Sequence, residues 1–70
     1  MEIKEGYYAK VPIYEDDGVE HLWFKVMYID NDKFIGKCNN NPIGVTSVDF
    51  DKCYEFNINQ IEKIDNDEEN

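Results

Sequence analysis

Seventy residues with sixteen acidic side chains, seven lysines and no arginine give a net charge of −9 and enough chain for one domain. The sign of that charge, and the lack of a guanidinium to fork onto phosphate, exclude direct binding to a nucleic-acid backbone as an expectation. A hydrophobic share of 41%, with five tyrosines, four phenylalanines and one tryptophan, fills one compact core but not a deep enclosed substrate cavity.

A chain this short buries roughly 60% of the surface its unfolded form exposes, so its expected stability is a few kcal/mol. No apolar run reaches the length of a membrane span. The first residues, Met1-Glu2-Ile3-Lys4-Glu5, are charged and lack the apolar stretch of a leader, so a cytoplasmic protein without membrane contact is expected. Cys38 and Cys53 do not make a disulfide scaffold and read as thiols. The acidity suits solubility first and a basic protein partner second.

In chain order, residues 1–6 are a polar lead-in. Residues 7–14 alternate: Tyr7, Ala9, Val11 and Ile13 share one face, and Tyr8, Lys10, Pro12 and Tyr14 the other. Pro12 cannot donate to a ladder, which places this strand at an edge or puts a bulge there. Glu15-Asp16-Asp17-Gly18 then gives the Asp-Gly signal of a tight hairpin. The run 20–29 follows, with Leu22, Phe24, Val26 and Tyr28 on one face and His21, Trp23, Lys25, Met27 and Ile29 on the other. Parts of it also fit helical spacing, but its aromatic and β-branched content and flanking turns favour a strand. Asp30-Asn31-Asp32 is a second turn, and 33–38 a third strand in which Gly36 signals a bulge or sharp bend.

Asn39-Asn40-Asn41-Pro42-Ile43-Gly44 reads as a loop, since Asn tolerates left-handed backbone and Pro42 holds Asn41 extended. In the connection 45–51, Ser47 is a candidate cap for a single helical turn. Residues 52–58 form a fourth strand, and 59–64 either one helical turn or a closing strand. The expected domain is 1–64, followed by an acidic disordered tail at 65–70. A mainly β fold results: a small antiparallel, strongly curved sheet or an SH3-like barrel of four to five strands, with room for one short helical turn.

Candidate chemistry is sparse. His21 and Trp23 point the same way from one strand and could present a partner-anchoring patch, although a core tryptophan beside a turn-bound histidine is the plainer reading. His21, Cys38 and Cys53 lack the close Cys pair of a structural zinc site, and neither thiol has an activating basic neighbourhood, so no metal, cofactor or catalytic residue is assigned. The aspartates at 16, 17, 30, 32, 49 and 51 are accounted for by turn chemistry.

Glu20-His21-Leu22-Trp23, then Phe34-Ile35-Gly36, Asn40-Asn41-Pro42, the Tyr54-Glu55-Phe56 strand and Ile61 together form a pattern. It resembles the small bacterial domain-of-unknown-function family 2314, over roughly 7–64. The chain departs from that family's Gly-Asp before the last strand, where Phe50-Asp51-Lys52 stands. The resemblance implies a small β-rich bacterial domain, with an immunity-like or regulatory protein-binding role as an extension by analogy.

The leading expectation is therefore a non-enzymatic binding module whose surface includes His21, Trp23, Asn40 and Pro42. The alternatives are a small-molecule or metal-dependent enzyme using His21 and, below that, an acidic inhibitor that mimics nucleic acid.

Overall fold

The period-two pattern folds into one antiparallel sheet in the computed structural model, which describes residues 2–66. Its strands are β1 (Tyr8–Glu15), β2 (Gly18–Asp30), β3 (Lys33–Cys38), β4 (Cys53–Asn57) and β5 (Lys63–Asp65), with one 3-10 turn at Ile58–Gln60. Their spatial order is β4-β3-β2-β1-β5. The outer strands β4 and β5 do not pair with each other, so the sheet is the open curved form and not the closed barrel. The stretch 59–64 contains both expected forms in succession, the end of a helical turn and the start of a short strand. Asp65 belongs to β5, one residue past the expected boundary at 64; of the disordered tail expected at 65–70, residues 67–70 lie outside the described ones.

Two-residue turns join the first three strands. In the first, Asp16 and Asp17 occupy the turn and Gly18 opens β2 at φ +149°, so the glycine follows the turn instead of sitting inside it. In the second, Asn31 takes the left-handed backbone at φ 57°, a conformation asparagine tolerates better than most residues.

One face of the sheet is buried. Ala9, Val11 and Ile13 of β1 meet Leu22, Phe24 and Val26 of β2, Phe34 and Cys38 of β3, and Phe56 of β4. The Phe24 and Phe56 rings meet edge to face at 4.7 Å between centroids. The alternation expected along β2 breaks after Val26. A bulge at Met27 shifts the register, pairing Val26 with Gly36 and Tyr28 with Ile35. Tyr28 therefore turns outward, 58% exposed, and Ile29 packs against the core in its place. The bulge lies beside Gly36 but on the facing strand. Gly36 itself is required by crowding, since a Cβ there would stand 2.8 Å from Phe24 Cβ and 3.0 Å from the Phe34 ring.

Pro12 is not on an edge strand. Glu62 N–H donates to Lys10 O on the β5 side of β1, and the period of two sends the nitrogen of Pro12 the same way. β5 pairs only with Tyr8, Ala9 and Lys10, so Pro12 stands just past the end of that ladder, where no donor is needed.

Residues 39–52 cross the open side of the sheet as irregular chain, with Val45 and Val48 buried beneath; Ser47 caps no helix. This segment covers the core where barrel closure would otherwise do so.

Candidate functional site

Two clusters emerge from this frame, one on each side of the sheet. The inner one was not visible in sequence. Glu15 and Glu20 flank the first hairpin and point toward the covering loop. Glu20 accepts hydrogen bonds from the backbone N–H groups of Ile43 at 3.0 Å, Gly44 at 2.8 Å and Val45 at 3.1 Å. Glu15 accepts from Thr46 at 3.1 Å and Ser47 at 2.8 Å. Five consecutive amides are thus held by two carboxylates. The Ser47 side chain, then the amides of Ser47 and Thr46, hold the Glu15 carboxyl below its ordinary range. The amides of Gly44 and Ile43 do the same for Glu20. The first residue of the Glu-His-Leu-Trp stretch is a loop anchor.

The outer cluster contains the expected pair. His21 and Trp23 do project together, on the face opposite the core. His21 is exposed, and its Nδ1–H donates to Glu62 Oε1 at 2.6 Å, reaching across β1 above Pro12. Trp23 is half-buried. Lys10, its direct partner on β1, lies with Nζ 5.8 Å from the ring centroid. Beside them a cleft of about 290 Å³ is lined by Tyr8, Trp23, Asn39 and Asp65.

Asn40 joins Trp23, but through the main chain: Trp23 N–H donates to Asn40 Oδ1 at 2.6 Å while Asn39 N–H donates to Trp23 O at 2.8 Å. The Asn40 side chain ends the β2–β3 ladder, a structural task. Its carbonyl also accepts from Cys38 Sγ–H at 3.2 Å. Burial pushes the Cys38 thiol up, so it is not primed as a nucleophile. Pro42, half-buried, belongs to the inner cluster, where it leads into the amides held by Glu20. The four expected site residues therefore divide: His21 and Trp23 form the outer surface, Asn40 supports it, and Pro42 serves the covering loop.

Sequence reasoning missed Tyr8, Lys10, Asn39, Glu62 and Asp65. The alternation of β1 did place Tyr8 and Lys10 on one face, and only the pairing of that face with Trp23 was missing. Glu62 lies 41 positions from His21, and Asp65 pairs with Tyr8 at the other end of the sequence, so no local pattern marks them. Among the described residues no group of three or more His, Cys, Asp or Glu side chains could hold a metal ion, and no helix is long and apolar enough to cross a membrane.

The fold and these clusters define a class: a small open β-sheet domain whose core is closed by a carboxylate-anchored loop and whose outer face presents a tryptophan cleft. The chain belongs to the bacterial family described as "Uncharacterized protein conserved in bacteria (DUF2314)", whose model matches residues 2–65. No curated protein and no solved structure matches it.

Proposed function

We propose that the domain is a non-enzymatic protein-binding module of the bacterial cytoplasm, with its recognition surface on the outer face around Trp23. The observation that carries this reading is the cleft: a half-buried tryptophan beside Tyr8, in a hollow of about 290 Å³. That size is at the lower limit of small-molecule pockets, and its open form suits one or two side chains of a partner better than an enclosed metabolite. Tryptophan and tyrosine are the side chains that most often anchor such contacts. The basic partner expected from net charge would meet carboxylates at the turns. The face around Trp23 carries lysines, and those local charges are what a partner docked there would meet.

A pull-down with a Trp23→Ala control tests the reading. A specific partner retained by the wild type and lost by the variant supports it, and equal retention by both removes Trp23 from the surface. One observation favours a second reading, acid–base chemistry at His21: its 2.6 Å contact with Glu62 orients the ring as a catalytic pair would. Elemental analysis of the native protein, with an NMR titration of His21 against a metabolite panel, separates the two. A metal-free protein with a ligand-insensitive histidine disposes of the second.

A further inference from the structure

Charge on this chain is segregated in a way that the net value of −9 conceals. The strand register sets Lys10 directly opposite Lys63, across β1 and β5, and Lys25 directly opposite Lys37, across β2 and β3. Lys10, Lys25 and Lys37 alternate with buried residues, and Lys63 shares the face of its partner Lys10, so all four occupy the outer face. Like charges placed directly opposite on neighbouring strands are destabilising. With sixteen carboxylates and only seven lysines in the chain, two lysine–lysine pairs on one face are not explained by stability.

The pairs bracket the cleft. Lys10 is the cross-strand partner of Trp23, and Lys25 that of Tyr8. Lys37 is partly neutralised by Asp51 at 3.5 Å, and Lys10 lies over the Trp23 ring. Lys25 and Lys63 have no ion-pair partner among the described residues. Two carboxylates adjoin them: Glu62, already engaged by His21, and Asp65, which forms one wall of the cleft.

We propose that this outer face docks an acidic segment of a partner protein. The segment's carboxylates sit between the paired lysines and relieve their repulsion, while an aromatic or apolar side chain enters the cleft against Trp23 and Tyr8. This rests on the reading of the domain as a binding module and names its partner's chemistry. A single nucleic-acid strand has the same sign of charge and could also stack on Trp23. It is disfavoured because a long polyanion would run past the acidic turns, and no arginine is present to hold phosphate.

Trp23 is the only tryptophan, so its fluorescence reports on the cleft directly. The full chain is titrated with a short peptide of glutamate and aspartate around one phenylalanine, with its glutamine/asparagine counterpart, with a lysine peptide and with a short oligothymidylate. The acidic peptide is expected to bind best, to weaken with added salt, and to shift the NMR signals of Tyr8, Trp23 and Asn39. Asp65→Asn is expected to tighten it about two- to fivefold, the size of one exposed charge contact. Lys25→Glu is the sharper variant. It turns a like-charge pair into an attractive one, so the free domain should melt a few degrees higher while binding the acidic peptide more weakly. A variant that is merely damaged cannot give that combination. Equal binding of the uncharged peptide at Trp23 overturns the acidic partner and leaves the binding module standing. Preferential binding of the oligothymidylate or the lysine peptide overturns it in favour of those ligands. Silence of Trp23 and its neighbours toward the whole panel counts against both.

Discussion

Glu15 and Glu20 illustrate how much a single side chain can organise without being catalytic. Each carboxylate is held below the ordinary glutamate value of 4.5 by hydrogen bonds made only in the folded state. A depressed folded value means that the stabilisation is fully present above the unfolded pKa and disappears as pH falls through the folded one. The melting temperature should therefore be level around neutrality and fall on acidification below about pH 4.5, near the unfolded glutamate pKa. Glu20→Gln should lower it at pH 7 by roughly 5 °C and flatten the acid limb, because an amide accepts these bonds more weakly and does not titrate. Thermal melts across pH test this; an acid limb as steep in the variant as in wild type would assign it to other groups. The two thiols should also part. Cys53 is exposed and Cys38 buried, so a thiol reagent should label Cys53 in the native protein and reach Cys38 only on unfolding. Gly36→Ala should cost about 1–3 kcal/mol in urea denaturation, since Phe24 and Phe34 leave its Cβ no room.

At the level of elements, the bulge at Met27 reverses what strict alternation implies for the end of β2. Tyr28→Ser should change stability by less than about 0.5 kcal/mol, and Ile29→Ser by clearly more, on the order of 1–2 kcal/mol. Urea midpoints that ranked the two the other way would mean that the strand runs without its bulge. The physics of legibility is plain in this strand. Leu22, Phe24 and Val26 follow the period of two and could be read; β3, from Lys33 to Cys38, has the bounds its flanking turns set. The register step could not be read, because it belongs to the pairing of β2 with β3, where Val26 meets Gly36 and Tyr28 meets Ile35. β5 was ambiguous because three residues carry no period, and its identity comes from its partner β1. The site divides the same way. The shared face of His21 and Trp23 was present in the alternation. The Asn40 contact with the Trp23 backbone, the Glu62 partner and the two loop-anchoring glutamates depend on pairings 17 to 41 positions apart.

For the molecule as a whole, the open sheet has one face covered by residues 39–52 and the other left to solvent. A five-stranded sheet with its inner apolar face bare would expose a patch that invites association. Here Val45 and Val48 do the covering, and the anchoring carboxylates sit at the end of the sheet where no strand closes it. The division of charge follows the same plan. Glu15 and Glu20 turn toward the loop, while Lys10, Lys25, Lys37 and Lys63 pair across strands on the outer face.

The pairing of β1 with β5 has a further consequence for synthesis. β1 lies between β2 and β5, the strand that comes latest in the chain among the described residues. As the polypeptide leaves the ribosome, β1 to β4 can assemble in order, each hairpin closing locally. The far side of β1, with Lys10 O and its neighbours, stays unpaired until residues 62–65 emerge. Nascent chains stalled before that point should remain protease-sensitive and become protected in one step once β5 has cleared the exit tunnel, which arrest-peptide or pulse-proteolysis measurements can time.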